Sequence, residues 1–404
     1  MWLMATSILP PRASPARIVV VVCAAAMMSL AIAMGVGRFA FTPFFPLMVR
    51  DGLLGNGAGA LIAASNYLGY LVGALFAARI RVKTTTLIAL GLIGTVIVTA
   101  AVGWTHSLAA WIVLRFVAGV MSAWTLIATS TWGLGWLASL GHPQLTGIIF
   151  AGVGLGIATV GIFCLIAAGP LASSLRLWIE LGALAGVAAL FPLLATRILP
   201  VPAASTGEKA SQGEALKPSA KTGGLVVCYT LFGFGYILPA TYVPALARQL
   251  VDDPQIFGLA WPLFGMAAAL STVVVAWGLK KINRLRVWAV SHVLMVLGVL
   301  LPGIWSSLVS ISVAALLVGG TFMVITMLAM QEARTRVEGD ATAVLGRMTA
   351  GFAFGQLMGP VVSAVVGRFT PDFSTALNFA LDLSALGLMV SAFYLWRVGR
   401  HPAY

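Results

Sequence analysis

The sequence predicts an all-α polytopic membrane protein, with twelve spanning helices in two related six-helix bundles. Three observations predict this. Of 404 residues, 60% are hydrophobic and only 9% charged, against roughly half and a quarter in a soluble globular chain, so there are too few charges to coat a water-facing surface. The apolar residues fall into runs long enough to cross a hydrocarbon core, which takes about 20 helical residues. The second half of the chain also repeats features of the first at a nearly constant offset. Lipid offers no water to an exposed backbone, so such runs must be helices. A soluble enzyme, a nucleic-acid-binding module and a disordered chain are excluded together.

Taken in order, the spans fall near 18–48, 58–79, 84–104, 107–138, 144–168 and 174–196, then near 224–247, 256–279, 286–304, 307–331, 342–367 and 374–396. The first is long enough to tilt, bend or project beyond the lipid. Since eleven more follow it, residues 1–48 are expected to be a retained helix rather than a cleaved signal. Between the two sets, 197–223 is the longest polar stretch, holding Glu208, Lys209, Glu214, Lys217, Lys221 and three prolines. It cannot bury enough apolar surface to order itself and reads as a linker. The expected organisation is an N-terminal segment 1–17, a first bundle 18–196, the linker 197–223, a second bundle 224–397 and a tail 398–404.

The formal net charge of +13 follows from topology rather than from a nucleic-acid face, because its bases are scattered through short gaps between apolar runs. With the N-terminus cytoplasmic, one side collects eighteen Lys and Arg, including Arg79, Arg81, Lys83, Lys280, Lys281, Arg284, Arg286, Arg334, Arg397 and Arg400. The other side has Arg50, Arg176, Arg248 and Arg368. The positive-inside bias therefore puts both termini and the linker in the cytoplasm. Cys23, Cys164 and Cys228 sit inside spans with no CxxC pattern, so neither a metal site nor a disulfide framework is expected. Trp104, Trp111, Trp178, Trp305 and Trp396 lie near span ends and read as interface anchors. Met121, Met323, Met327 and Met330 read as packing.

The repeat is visible residue by residue. Gly35-x-Gly37, Pro46 and Arg50 meet Gly233-x-Gly235, Pro244 and Arg248 at offset 198. Gly147, Gly152 and Gly156 meet Gly346, Gly351 and Gly355 at offset 199, and Glu180 meets Asp382 at 202. Two parallel halves are a geometry that serves alternating access around a midplane site.

Six plus six spans, a cytoplasmic linker and half-repeats resemble the major facilitator superfamily. Arg115-Phe-Val-Ala-Gly119 resembles its Arg-x-x-x-Gly motif in span four, and Gly355-x-x-x-Gly359-Pro360 a displaced copy of its Gly-Pro motif. The loop after span two departs from the pattern: Gly73 is followed by Arg79, Arg81 and Lys83 with no acid. Gly35-Val-Gly37-Arg38-Phe39-Ala40-Phe41-Thr42-Pro43, followed by Ala64-Ser65-Asn66-Tyr67-Leu68-Gly69-Tyr70, resembles the bacterial YbfB/YjiJ-type facilitators. The resemblance implies a major facilitator fold in the bacterial inner membrane. It further implies secondary transport of a small molecule by a functional monomer, with protons as coupling ion and no cofactor.

Enzyme signatures are absent. No G-x4-G-K-[ST] occurs, which argues against ATP-driven transport by this chain, and no HExxH. Gly152-x-Gly154-x-Gly156 lies in an apolar run and reads as close helix packing through small residues. Charges inside spans are the informative residues, since each costs a few kcal/mol at a helix centre. Leaving aside the arginines already counted at the two faces, there are four: Arg38, Arg115, Glu180 and Asp382. All lie roughly 9–15 Å below the outer surface at 1.5 Å per residue, so they could share one layer. A buried guanidinium needs a carboxylate or phosphate-like partner. Arg38, with Arg115, is therefore the candidate for binding an anionic group of the substrate, the alternative being an internal ion pair. Glu180, four residues after Arg176 at the spacing where helix side chains meet, reads first as that residue's pair near the outer surface. Glu180 and Asp382, the latter with no deep Arg in its half, are also the proton-coupling candidates. Asn66, Tyr67, Tyr236, Tyr242 and Gln356 could hydrogen-bond a ligand or a neighbouring helix. His292 could carry a proton but lies near the cytoplasmic end of its span. Substrates of two kinds remain open: an anionic metabolite, or amphipathic compounds for export. A non-transporting sensor or scaffold would normally need a soluble domain, which the chain lacks.

Overall fold

The apolar runs become helices in the expected order. The computed structural model describes residues 14–77, 79–80, 82–169, 172–200, 220–250, 258–279, 281–305, 307–337, 341–366, 368–369 and 373–400, with side chains described for all of these except 56–57, 220–221, 240–250, 364, 373–374 and 376–377. Every regular element among them is helical. The first bundle comprises α1 (Pro15–Arg50), α2 (Asn56–Ala77), α3 (Thr84–Val102), α4 (Leu108–Ser139), α5 (Thr146–Ala167) and α6 (Ser174–Ile198). The second comprises α7 (Ala220–Leu250), α8 (Ala260–Gly278), α9 (Arg284–Ile304), α10 (Leu308–Thr335), α11 (Thr342–Val366) and α12 (Phe373–Val398). By length and hydropathy, eleven helices among the described residues can cross a membrane. The remaining one, α11, packs between α7 and α2 and completes twelve.

Local chemistry sets the ends. Pro15 opens α1, where a missing N–H is harmless. Ser107, Asn283 and Ser307 cap α4, α9 and α10 by accepting from Ala110, Leu285 and Ser310 N–H. Gly52 and Gly141, at φ +72° and +76°, turn the chain just past α1 and α4 in the left-handed region that favours glycine.

The two halves pack alike. Helix α1 lies on α5 as α7 lies on α11, α2 on α4 as α8 on α10, and α3 on α6 as α9 on α12. Glycines carry the equivalence to the residue. A Cβ on Gly152 would strike Met27, and one on Gly351 would meet Val226. A Cβ on Gly156 would strike the Ala31 carbonyl, and one on Gly355 the Thr230 carbonyl. All four correspondences hold at offset 199, so the repeat read from the sequence is a repeat of structure. Between them, Gly154 faces away from α1 and lies against Gly265 and Ala269 of α8. Alternate glycines of α5 thus serve two partners, one within its half and one across the boundary. At the basic end of the bundle the halves also meet where Gly346 of α11 approaches Ala74 of α2, and where the hydroxyls of Thr131 and Thr342 lie 3.5 Å apart.

Two of the five expected interface tryptophans are core residues instead. Trp111 is buried and donates to the Val102 carbonyl at 3.1 Å. Trp178 is buried against Phe44, ring centroids 4.1 Å apart. The Trp111 indole is satisfied internally, and Trp178 is held by ring packing, its N–H without a partner among the described residues. Trp104, Trp305 and Trp396 are exposed. The three cysteines are buried and free, and Met323, Met327 and Met330 are core residues.

A polar clasp closes the end of α1 opposite the basic end. Asp51 accepts the Ser174 N–H at 2.6 Å and pairs with Arg50 at 2.8 Å, while Arg50 donates to the Ala172 carbonyl at 2.5 Å. Partial burial pushes the Asp51 carboxyl up, but the hydrogen bonds from Ser174 and the Arg50 charge outweigh it and hold the group below the usual aspartate value. A lowered carboxyl pKa contributes stability that is complete above the unfolded value of about 3.9 and lost as pH falls through the folded one. Thermal unfolding of wild type and Asp51→Asn is therefore expected to differ at neutral pH and to converge as pH falls below the lowered Asp51 value. A difference that stays constant throughout acid titration would show that the charge has no part in it.

Candidate functional site

The site begins with an irregularity in α1. Residues Ala31–Phe39 form a π-helix, a wider turn that occurs often at functional sites. Gly35 and Gly37 let neighbours reach its backbone: a Cβ on Gly35 would collide with Gly156 of α5, and one on Gly37 would lie 2.9 Å from Ser122 and Thr95 side-chain atoms. Helix α4 then supplies donors to the loosened carbonyls. Ser122 Oγ donates to Ala33 O at 2.6 Å, and Arg115 donates to Gly37 O at 2.8 Å and to Arg38 O at 2.7 Å. Arg115 thus commits both terminal nitrogens to the main chain of α1. Gly119, four residues on, gives α2 access, since a Cβ there would collide with the Asn66 carbonyl. The Arg-x-x-x-Gly pair joins three helices.

The clamped π-segment presents Arg38, 3% exposed, to the junction of the halves. Its Nη2 donates to Gln356 Oε1 of α11, a hydrogen bond from one half to the other. The guanidinium carbon lies 3.8 Å from the Tyr70 ring centroid, and 5.6, 5.6 and 5.7 Å from those of Phe39, Tyr67 and Phe352. Arg38 Nε and Nη1 and Gln356 Nε2 are buried with no hydrogen-bond partner among the described residues. No described acid compensates the charge. Asp51 is in the clasp, Glu180 pairs with Arg176, Glu332 with Arg336 and Arg284, and Asp382 is exposed.

Across from Arg38 the second half offers an aromatic wall. Tyr236 stacks on Phe322 with centroids 4.3 Å apart and 10° between planes. Phe39 reaches over to it, edge-on to Phe322 at 5.9 Å and to Trp261 at 6.3 Å. The Tyr236 hydroxyl is buried without a partner among the described residues, whereas Tyr229 donates to Thr326 at 3.3 Å.

The structure therefore gathers Arg38, Arg115, Asn66, Tyr67, Tyr236 and Gln356 into one region, and places the other candidates elsewhere. Asn66 donates to the Arg115 carbonyl at 2.9 Å, which leaves its Oδ1 as a buried acceptor. The Tyr242 side chain lies outside the described residues. Glu180 accepts from Arg176 at 2.7 Å on a part-exposed helix face, the four-residue pairing that the sequence suggests, so it is not the internal ion-pair partner that the alternative reading of Arg38 requires. Asp382 is on the outward face of α12 rather than in a desolvated pocket. His292 is fully buried, accepting the Trp288 indole N–H at 3.0 Å. Sequence reasoning did not single out Tyr70, Phe39 or Phe352. Tyr70 was within reach, standing three and four residues after Tyr67 and Asn66 and so on their helix face.

A family model described as the uncharacterised MFS-type transporter YbfB matches residues 30–395. The chain belongs to this YbfB-type family of MFS transporters. A search among curated proteins gives no match. Among solved structures, the human organic anion transporter MFSD10 (TETRAN) superposes with a TM-score of 0.69 at 16% identity, covering 95% of this chain and 100% of that one. The nucleoside transporter NupG, solved as a point mutant, does so with a TM-score of 0.65 at 15% identity, covering 94% and 99%. These likenesses carry the fold alone. The YbfB-type chain is thus a multi-pass membrane protein of the major facilitator fold and a transporter by family. In it the Gly35-x-Gly37-Arg38 string is the clamped π-segment, and Arg115-x-x-x-Gly119 is its clamp.

Proposed function

We propose that this YbfB-type chain is a secondary transporter that moves a small organic anion across the bacterial inner membrane by alternating access. One observation carries the reading. Arg38 is buried between the halves with two nitrogens, Nε and Nη1, unpartnered among the described residues and no described acid against it. A guanidinium in that setting is a receptor for a planar anionic group, which it can grip with two parallel hydrogen bonds. Arg115 holds the π-segment that aims Arg38. The wall of Tyr236, Phe322 and Phe352 suits an apolar or aromatic body attached to the anion. One structural neighbour is an organic anion transporter, at an identity too low to transfer a substrate.

In this scheme the Arg38–Gln356 hydrogen bond holds the halves together when no substrate is bound. An incoming carboxylate competes with Gln356 for Arg38 and so links binding to separation of the halves. We take protons as coupling ion and the monomer as functional unit, supported by the family and by the lack of any nucleotide-binding motif. Glu180 and Asp382 both stand away from Arg38, so proton coupling through either would act at a distance from the substrate. Export of amphipathic compounds is the second reading, favoured by the aromatic wall.

Thermal stabilisation of the purified protein against a library of organic anions tests the proposal, because a ligand at 100 times its Kd adds about 2.7 kcal/mol. Stabilisation by anions and not by their amides is the expected result. Stabilisation by neutral or cationic amphiphiles alone would favour the second reading. Binding without flux into proteoliposomes would indicate a sensor.

Orientation is tested separately. Single cysteines at Ser205 and Ser211 are expected to react with a membrane-impermeant maleimide only after the inner face is opened. The native thiols, all buried, leave a low background. Labelling in intact cells would reverse the topology.

A further inference from the structure

A groove of about 300 Å³ runs along the lipid-facing surface between α9 and α12. Its floor is two small residues from facing helices, Ala289 and Ala392, both buried, and its walls are Val293, Met389, Phe393 and Trp396, all exposed. From Trp396 to Met389 it extends about 10 Å down the helix at 1.5 Å per residue. At its mouth, on the basic end of the bundle, stand two exposed arginines. The Arg286 guanidinium lies 5.6 Å from the Trp396 ring centroid, and that of Arg397 lies 4.8 Å from the Phe393 centroid. The helix ends are fixed to each other there: Asn283 Nδ2 donates to Gly399 O at 3.3 Å, and a Cβ on Gly399 would lie 3.3 Å from Arg286 Cγ. Neither arginine has an ion-pair partner among the described residues. The nearby acid Glu332 is taken by Arg284 and Arg336.

We propose that this groove is a binding site for an anionic phospholipid, with one acyl chain on the Ala289–Ala392 floor and the phosphate between Arg286 and Arg397. A guanidinium is weakly hydrated and presents its N–H groups in a planar fork, which suits two-pronged phosphate binding beside a ring. Basic pockets between spanning helices on the cytoplasmic side are where anionic headgroups bind. The contrast with the larger groove at the other end, about 500 Å³ between α3 and α4, supports the assignment. That groove is lined by Trp104, Thr105, Val113, Leu114 and alanines and has no cation in its lining. Both grooves can hold an acyl chain, and only the one at the basic end can select a headgroup by charge.

The test uses Trp396 as reporter, isolated as the difference in fluorescence between the wild-type protein and Trp396→Phe in phosphatidylcholine nanodiscs. Acyl-brominated phosphatidylglycerol at a few mole per cent is expected to quench Trp396 severalfold more than brominated phosphatidylcholine. The excess should vanish in Arg286→Gln/Arg397→Gln, and also in Ala392→Phe, which fills the floor and leaves both arginines in place. If the double variant fails to fold, single Arg397→Gln, at an exposed helix end, is expected to lose part of the excess. Equal quenching by the two lipids in the wild-type protein would overturn the site. An excess that survives in the arginine variants would overturn the headgroup assignment, and one that survives in Ala392→Phe would overturn the acyl-chain assignment.

Discussion

Arg38→Met is expected to abolish stabilisation by organic anions and transport, while the empty protein melts at or above the wild-type temperature. The two effects separate because the charge has no described carboxylate to answer it. Burying an ion carries a desolvation penalty of several kcal/mol, which the Gln356 hydrogen bond and the surrounding rings offset only in part. A residue kept for binding rather than stability shows this pattern. Arg38→Lys retains the charge without the planar fork, and anion affinity should fall tenfold or more, about 1.4 kcal/mol. Gln356→Ala should raise affinity, since it removes the competitor. If Arg38 had a buried ionic partner instead, Arg38→Met would leave that partner uncompensated and lose about 3–5 kcal/mol. Calorimetry on the empty protein decides between these outcomes without a known substrate.

The glycines of α5 should give the second large effect, in opposite forms at neighbouring positions. Gly152→Val drives a side chain into the Met27 backbone of α1, inside one six-helix half. The clash cannot be relieved without opening that half, so a loss of about 1–3 kcal/mol or more is expected, with poor yield of folded protein. Gly154→Val meets Gly265 and Ala269 of α8, across the boundary. Two rigid halves can tilt apart to accommodate it, so stability should change less while transport stops. Equal loss of stability at both positions would mean that the halves do not move as separate bodies.

Much of this architecture was legible because a spanning run contrasts with the loops around it. Arg38 and Arg115 were legible for the same reason, as charges in apolar surroundings. Depth along a helix can also be counted, which put Glu180 and Asp382 at the level of the arginines, while the four-residue spacing already paired Glu180 with Arg176. The direction in which a side chain leaves the helix axis depends on which neighbour the helix packs against, and a single sequence with apolar residues on all sides gives little sign of it. Both acids proved to face outward. Tyr70 and Phe352 escaped notice since an aromatic residue in an apolar run is no anomaly. The π-turn at Ala31–Phe39 escaped because a wider turn leaves no mark on so uniform a composition, though Gly35-x-Gly37 signalled a close approach. Arg115 shows the limit from the other side: its identity and depth were plain, but its donation to two carbonyls of α1 depends on backbone geometry.

Arg38 also puts the site under the influence of the membrane potential. It lies roughly 15 Å within the bilayer by the helical rise, and a transmembrane voltage acts on an elementary charge with about 2.3 kcal/mol per 100 mV across the full thickness. On the proposed reading, a bound carboxylate offsets one of the two buried guanidinium charges, Arg38 and Arg115, so an interior-negative voltage acts more strongly on the empty protein than on one holding the anion alone. A proton travelling with the anion would restore that charge and bring the loaded carrier under the voltage as well.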